Sequence, residues 1–359
     1  MKEWLKYLEI MKKNPITRFA MATVIRVEGS SYRHEGAKML LGKDGKQYGT
    51  ISAGCLEEDL GYYAKEVIDL NEPITKTYDL RSEDDLDWGL SAGCNGKVVV
   101  FLEPIQFDED TYNIYKRLDE GQSIAIARGA SADVYGLKLC LANSGQLFGN
   151  IDDPTLKEIL HFQLTEFLET SHHFDYRTLV SMQTKFIFEI IEPKDVLYIF
   201  GAGPDVEPLV KSAYDLDFHT IIIDPRSSRC NQYHFPQAGE LVVKHPEAFF
   251  IDTNIDLNSF VLIMTHSFTR DKKILEFFLE IQPKYLGVLG PKRRTERLLY
   301  PKCVPDWVYS PIGLNINAEA PEEISISILS ELIKVRNEQR AKLKKQKKQN
   351  RALHLVNGM

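Results

Sequence analysis

Residues 196–206 read Val-Leu-Tyr-Ile-Phe-Gly-Ala-Gly-Pro-Asp-Val, and this stretch decides the fold class of the second half of the chain. Val196–Phe200 is a short, fully apolar strand, and Gly201-Ala202-Gly203 is a tight turn. The following residues, Asp205 to Tyr214, have the pattern of a helix. A strand, a glycine-rich turn and a helix in this order are typical of a dinucleotide-binding fold.

The strands and helices that follow alternate along the chain. Thr220–Ile223, Phe260–Met264 and Tyr285–Leu289 are apolar strands, with a helical stretch at Asp271–Glu280 between the last two. A further helix begins at Pro321. Alternation of this kind predicts a doubly wound, parallel, Rossmann-like sheet with right-handed crossovers.

The glycine turn also suggests a ligand. Gly201 and Gly203 let the backbone approach a pyrophosphate, and Asp224, which ends the next strand, lies where a carboxylate binds ribose hydroxyls. The match to an NAD(P) site is incomplete, because Pro204 has no N–H and Asp205 adds negative charge at the helix start. Two interpretations stay open: an NAD(P) site, or a relic of the fold in which the glycines only make the turn.

The first half of the chain has a different pattern. Strands are predicted at Phe19–Val27, at Val98–Leu102 and in a hairpin around Asp44-Gly45, and a helix at Leu56–Leu70. Strands and helices do not alternate strictly here, which favours an α+β domain. A boundary is predicted at Glu192-Pro193, and no repeat array is recognised.

Length and charge limit the class of protein. The chain has 359 residues, which indicates about two domains. Its longest apolar runs are too short to span a membrane, and its charged N-terminus is not a signal peptide, so we expect a cytoplasmic protein. The net charge is −7, although residues 334–351 hold nine Lys/Arg and one Glu. A basic tail on an acidic body does not indicate a nucleic-acid-binding domain, and a solvated extension and a partner- or RNA-binding tail both remain open.

Two short loops share four residues. Ser52-Ala53-Gly54-Cys55 recurs as Ser91-Ala92-Gly93-Cys94, and none of the five cysteines has the C-x-x-C spacing of a zinc site. Cys55 comes just before a predicted helix, whose dipole can lower a thiol pKa and make the sulfur a nucleophile or a soft-metal ligand. The alternative is a pair of tight turns with inert, buried cysteines.

A polar loop between the first two strands supplies cations. Arg33 and Lys38 could hold an anionic head group, and Arg33 could do so with two hydrogen bonds. Both could equally be ordinary loop charges.

Motifs from both halves resemble one known family. In the first half they are Gly29-Ser-Ser-Tyr-Arg33, Gly36-Ala-Lys-Met39, Gly49-Thr-Ile-Ser52-Ala-Gly54-Cys55-Leu-Glu57 and Gly93-Cys94-Asn-Gly96. In the second half they are Phe200-Gly-Ala-Gly203, Asp224-Pro-Arg226, Met264-Thr-His266, Tyr285-Leu-Gly287-Val-Leu-Gly290 and Pro311-Ile-Gly-Leu314 with Pro321-Glu-Glu-Ile324. In this order they resemble the XdhC/CoxI family, accessory proteins of molybdenum hydroxylases such as xanthine dehydrogenase.

The resemblance implies an architecture and a function. It implies an N-terminal XdhC-type domain over residues 1–192, a Rossmann-like domain over 193–335 and a basic tail over 336–359. It also implies binding of the molybdenum cofactor, help with its sulfuration by a cysteine desulfurase, and delivery to the apo-hydroxylase. The chain is not expected to be the hydroxylase, because nothing in it suggests iron–sulfur or flavin sites. A homodimer is expected, since closed two-fold assemblies are common.

Under this resemblance the expected cofactor contacts lie in both halves, with Cys55 as a metal ligand. The full set is Arg33, Lys38, Ser52, Gly54, Cys55, Gly93, Cys94, Gly201, Gly203, Asp224 and His266. Pro204 and Ser267-Phe268 stand where the family often has histidine or aspartate. These departures argue against a histidine-based metal site or hydride chemistry in the second half, and His266 can also be read as a strand-end histidine. An NAD(P)-dependent oxidoreductase and a cofactor-free scaffold between hydroxylase and desulfurase are the alternatives.

Overall fold

The computed structural model describes residues 3–52, 54, 56–81, 96–170, 172–179, 182–253 and 255–338. They form two compact units that divide between Pro193 and Lys194. The first unit has two antiparallel sheets and the second has one parallel sheet. The predicted fold class, an α+β unit followed by a Rossmann-like unit, is confirmed.

The first unit contains two sheets of five strands each, in the orders β3-β2-β1-β5-β4 and β8-β7-β6-β10-β9. Its elements are α1 (Glu3–Lys13), β1 (Phe19–Gly29), β2 (Lys38–Gly42), β3 (Gln47–Gly49), α2 (Glu57–Leu70), β4 (Ile74–Asp79), β5 (Gly96–Ile105), α3 (Glu109–Asp119), β6 (Ile124–Gly129), β7 (Lys138–Ala142), β8 (Leu147–Gly149), α4 (Pro154–Glu169), β9 (Phe174–Leu179) and β10 (Thr184–Ile191).

The two sheets are copies of one module, which corrects the expectation that the chain has no repeat. Each copy runs helix, three strands, helix, two strands, and the strand orders are the same. The hairpins align at a constant offset: Lys, Leu, Gly, Gly and Ile stand at 38, 41, 45, 49 and 51, and again at 138, 141, 145, 149 and 151. Few side chains recur between the copies, so the duplication is recognised from the order of strands and helices rather than from the sequence.

Strand register fixes which residues correspond between the copies. Thr23 pairs with Lys38 in the first copy, and Arg128 pairs with Lys138 in the second. Across the neighbouring strand, Met21 faces Glu103 and Ile126 faces Glu189. Glu103 therefore corresponds to Glu189, and Lys38 corresponds to Lys138.

The core of the first unit has three layers of apolar contact. Helix α2 covers one face of the first sheet, and α4 covers one face of the second. The other faces contribute to a single cluster with α1 and α3, which includes Leu8, Met21, Ile114, Ile126 and Cys140. All of these side chains are almost fully buried, so each sheet is buried on both faces.

The second unit is a six-stranded sheet in the order β13-β12-β11-β14-β15-β16, with every pair parallel. Its elements are β11 (Asp195–Phe200), α5 (Val206–Asp215), β12 (Phe218–Ile223), β13 (Glu240–Val242), α6 (Pro246–Asp252), β14 (Phe260–Ile263), α7 (Phe268–Ile281), β15 (Tyr285–Val288), α8 (Lys292–Leu299) and β16 (Val308–Tyr309). A last helix, α9, begins at residue 321 and is described to residue 338.

The strand order reverses between β11 and β14. In open α/β sheets a ligand crevice lies at such a point, outside the carboxyl ends of the strands. The glycine turn follows β11 and His266 follows β14, so the fold places both at this edge.

Candidate functional site

The loop between β3 and α2 is built around one carboxylate, that of Glu57. Its Oε1 accepts hydrogen bonds from Thr50 Oγ1 (2.6 Å) and from the backbone N–H groups of Ile51 and Ser52 (both 2.8 Å). Its Oε2 accepts from Ser52 Oγ (2.5 Å), Gly54 N (2.9 Å) and Leu56 N (3.2 Å). Six donors therefore converge on one acidic side chain at the start of a helix.

This network fixes the charge of Glu57. Burial by itself raises the pKa of the carboxyl group, but the hydrogen bonds from Ser52, Thr50 and Ile51 outweigh burial and lower the pKa to about 2. Glu57 is therefore ionised at neutral pH although only 8% of the residue is exposed. In the sequence analysis Glu57 appears only as part of a family motif, and its role in the loop is not predicted. The position of Glu57, three residues after Gly54, is the signal that could have found it, as a side chain reaching back to a loop.

Arg33 is part of the same structure. Its Nη1 and Nη2 donate to the two carboxylate oxygens of Glu3 (2.6 and 3.1 Å), and Nη1 also donates to the carbonyl of Thr50 (2.7 Å). Arg33 thus makes a bidentate bond to the chain's own Glu3, and the predicted bond to an anionic head group stays a prediction. The guanidinium, whose side chain is 26% exposed, ties α1 to the loop that Glu57 organises.

The corresponding turn in the second copy of the module has a shorter loop with fewer hydrogen bonds. Between β8 and α4 the chain has four residues, 150–153, whereas between β3 and α2 it has seven, 50–56. In the shorter loop Asp153 is an ordinary N-cap that accepts from Thr155 N and Leu156 N. The module therefore needs only a capping acid at this turn. The longer loop, whose carboxylate accepts six hydrogen bonds, is found in the first copy and not in the second.

Lys38 lies in the core rather than in a binding loop. It is 2% exposed, and its Nζ is 2.8 Å from Glu189 Oε2. Glu189 also accepts from Trp4 Nε1 and from Arg128 Nε, both at 3.0 Å. An ammonium enclosed in this way cannot reach an anionic head group at the surface, so we correct the expectation for Lys38 and leave it out of the proposed site.

Three of the predicted site residues, Cys55, Gly93 and Cys94, lie outside the described residues. The neighbours of Cys55 in the chain, Gly54 and Leu56, are both bonded to Glu57. Of the described cysteines, Cys140 and Cys230 are buried and Cys303 is exposed. Burial raises the pKa of the Cys140 thiol to about 12, which makes this sulfur inert at neutral pH.

The glycine turn of the second unit is closed by its own residues. Asp224, 1% exposed, accepts from Ala202 N (2.9 Å) and from Arg226 N, Nε and Nη2 (2.9, 2.9 and 2.7 Å). Gly201 has φ +125°, and a Cβ there would lie 2.3 Å from the carbonyl oxygen of Met264. Glycine is thus required at 201 for the turn itself.

These contacts do not fit an NAD(P) site. The N–H groups of Gly201, Val206 and Glu207 bond to carbonyls of the chain, and that of Ala202 bonds to Asp224. These four N–H groups, and the acid that would bind a ribose, are thus engaged within the protein. The geometry favours the interpretation in which Gly201, Gly203 and Asp224 serve the fold.

His266 is held in an unusual conformation at the crevice. Its φ is +55°, which is uncommon for a residue with a side chain, and its Nε2 is 2.9 Å from Asp205 Oδ2. The imidazole is 60% exposed. The sequence indicates only a repulsive charge at Asp205, and the structure makes this acid the group that orients His266.

Neither a cluster of metal ligands nor a membrane-spanning helix occurs in the described part of the chain. No three His, Cys, Asp or Glu side chains among these residues are grouped to hold a metal ion. No helix among them is long and apolar enough to cross a bilayer.

Comparison with known proteins identifies the class. Residues 16–79 match the family model described as the XdhC and CoxI family, and residues 197–332 match the XdhC Rossmann domain. The chain belongs to the XdhC/CoxI family, as the motifs predicted.

Particular relatives extend this result over most of the chain. It is 37% identical over 321 residues to a protein of Bacillus subtilis (strain 168) named as a probable xanthine dehydrogenase subunit, covering 88% of this chain and 92% of that protein. It is 19% identical over 325 residues to the molybdenum cofactor insertion chaperone PaoD of Escherichia coli (strain K12), covering 88% and 83%. A crystal structure titled as a xanthine dehydrogenase from Bacillus halodurans superposes with a TM-score of 0.78 at 38% identity, over 93% of this chain and 96% of that one.

Proposed function

We propose that this protein is an accessory factor that binds the molybdenum cofactor, supports its sulfuration and inserts it into a hydroxylase of the xanthine dehydrogenase type. Membership of the XdhC/CoxI family supports an accessory role, and so does the similarity to PaoD, which is named an insertion chaperone. The cofactor is then a cargo, and the task of the protein is to hold it and release it.

The observation that carries the proposal is the loop of residues 50–56. Its seven residues exceed what the second copy of the module needs, and Glu57 accepts from the N–H groups of Gly54 and Leu56, the sequence neighbours of Cys55. A thiol just before a helix start is suited to contact a soft metal. The N–H groups of Ile51 and Ser52 are also bonded to Glu57, so we assign contact with the cofactor to the sulfur of Cys55 rather than to these N–H groups.

The proposal assigns roles to the remaining predicted residues. Ser52 and Gly54 shape the loop of Cys55, Arg33 anchors it, and Gly93 and Cys94 stay predicted contacts. The domains are those expected from the resemblance, at residues 1–192, 193–335 and 336–359. The cysteine desulfurase, the cytoplasmic location and the homodimer also stay part of the proposal.

Metal and pterin analysis of protein purified from a cofactor-producing host tests this function. We expect molybdenum and pterin to co-purify with the wild type and to fall at least fivefold in Cys55→Ala. Cys303→Ala is the matched control, because Cys303 is exposed and belongs to the other unit. Unchanged molybdenum content in Cys55→Ala would remove Cys55 from the site.

A cofactor-free scaffold is the alternative that the same experiment separates. It predicts wild-type protein without molybdenum or pterin that still captures the hydroxylase in a pull-down. Those two results together would contradict our proposal and favour the scaffold.

A further inference from the structure

The two copies of the module have one corresponding core position each. A lysine–glutamate pair fills this position in the first copy but not in the second. In the first copy Lys38 reaches Glu189 of the second copy at 2.8 Å, and both side chains are almost fully buried. The corresponding pair, Lys138 and Glu103, is not made. Lys138 turns instead towards Asp108 and Asp110, at 3.7 and 3.6 Å, and its side chain is 19% exposed.

A cavity of about 200 Å³ lies where the second pair is missing. Its polar lining includes Glu103, Arg128, Lys138, Tyr135 and Trp4. In the first copy the same position is filled by the Lys38 side chain. The comparison within one unit therefore shows that the fold can close this position and that here it does not.

Glu103 lacks the donors that its counterpart has. Glu189 is contacted by Trp4 Nε1, Lys38 Nζ and Arg128 Nε. Glu103 is 8% exposed and is paired with Arg128, a cation that it shares with Glu189. Its Oε1 faces Arg128 Nη1, and among the described residues neither a tryptophan nor a lysine donates to it as Trp4 and Lys38 donate to Glu189. A buried carboxylate with one cationic partner keeps lone pairs for a ligand that donates N–H groups to it.

The rest of the lining points to a flat, polar ligand with acceptors as well. Arg18 and Lys138 carry N–H donors, and Trp4 and Tyr135 offer aromatic surface. Drug-sized ligands fill pockets of about 300–1,000 Å³, so a cavity of about 200 Å³ suits a single fused ring system. A 2-amino-4-oxopyrimidine ring has this chemistry, because its amino group and ring N–H form a pair of donors that matches a carboxylate.

We propose that this cavity binds the 2-amino-4-oxopteridine ring of a pterin, with Glu103 accepting the paired N–H groups. The inference deepens the proposed function, on which it rests, by naming the part of the protein that holds the organic part of the cargo. Arg18 and Lys138 would face the ring's oxygen and nitrogen acceptors.

Fluorescence titration with free pterin tests the inference. Pterin should bind saturably to the full-length protein, and lumazine, in which oxygen replaces the 2-amino group, should bind at least tenfold more weakly. Glu103→Gln should weaken pterin binding at least tenfold. Asp44→Asn changes an exposed acid in a hairpin outside the cavity lining and should leave the affinity within twofold of the wild type.

A second variant covers the case in which Glu103→Gln does not fold. Arg18 lines the cavity but is exposed, so Arg18→Met should fold and weaken pterin binding by threefold or more. Equal affinity for pterin and lumazine, no saturable binding, or unchanged affinity in a folded cavity variant would each overturn the inference. If molybdenum co-purifies while free pterin does not bind, the proposed function stands and only the cavity assignment fails. If pterin binds but molybdenum does not co-purify, the cavity assignment stands and the proposed function fails.

Discussion

At the scale of single residues, the protein uses buried carboxylates to fix geometry. Glu57 collects six donors in the loop of Cys55, Asp224 closes the glycine turn, and Glu189 holds two cations between the sheets. The partners of Glu189, and Ala202 as a partner of Asp224, come from other elements, whereas the partners of Glu57 all lie within seven residues of it in the chain. Substitution of Glu189 or Asp224 should therefore affect more than one element.

Glu57→Gln should destabilise the protein in a pH-dependent way. All six partners of Glu57 are donors, so the amide nitrogen of glutamine must face donors as well. The pKa of Glu57 in the fold is about 2, below its ordinary value. Its stabilisation is therefore complete above about pH 5 and is lost as the pH falls towards 2. We expect a loss of about 3 kcal/mol at pH 7, because each unit by which the pKa is lowered corresponds to about 1.4 kcal/mol.

Urea denaturation of both proteins at pH 7, 5 and 3.5 measures this effect. The difference between Glu57→Gln and the wild type should be largest at pH 7 and smallest at pH 3.5. Asp153→Asn is the matched control, since asparagine caps a helix about as well as aspartate, and it should change stability by only a few tenths of a kcal/mol. A difference that stays constant with pH would contradict the ionised role of Glu57.

Glu189→Gln should be strongly destabilising at neutral pH. It removes the carboxylate that faces Lys38 and Arg128 in a region with almost no solvent exposure. Removing one partner of a buried ion pair costs about 3–5 kcal/mol. Asp69→Asn, which breaks the exposed pair with Lys43, should cost under about 1 kcal/mol in the same urea titration. A loss for Glu189→Gln as small as that of the control would show that the buried network contributes little.

At the scale of elements, the two turns that resemble ligand loops donate backbone hydrogen bonds to different groups within the chain. The glycine turn after β11 bonds to β12 and to Asp224, and the loop after β3 bonds to Glu57. These bonds are made within the chain. They favour a structural role for the glycine turn over a phosphate-binding one.

Isothermal titration calorimetry checks this conclusion for the glycine turn. We expect no saturable heat from NAD(H) or NADP(H) at millimolar concentration, because the N–H groups of Gly201 and Ala202 and the carboxylate of Asp224 are already bonded. A saturable heat that is lost in Asp224→Asn would restore the dinucleotide interpretation.

At the scale of the whole molecule, each unit has its own core. The clusters around Leu8, Leu60 and Leu160 draw only on the first unit, and those around Ile199 and Ile263 draw only on the second. A fragment of residues 1–193 should therefore fold alone and unfold cooperatively with heat. Circular dichroism during a thermal scan measures this, and a fragment without a cooperative transition would show that the first unit depends on the second.

The amino-acid sequence by itself determined the fold class, most of the strands and helices, and the family. Apolar strands such as Val196–Phe200 are buried wherever they pack, so their pattern follows from hydrophobicity. The motifs around Cys55 and Gly201 needed only their order along the chain to indicate the XdhC/CoxI family, which the comparisons confirmed.

Only the tertiary structure decided which polar side chains meet. Lys38 reads as a loop cation in the sequence, yet it is buried against Glu189, which is 151 positions further along the chain. Asp205 and Glu103 gained their roles from a partner or a cavity that strand register and chain folding bring to them. The duplication was likewise recognised only from the structure, because the two copies have the same strand order although few of their side chains are the same. Pairing between distant charges depends on distance in space, which the order of residues does not specify.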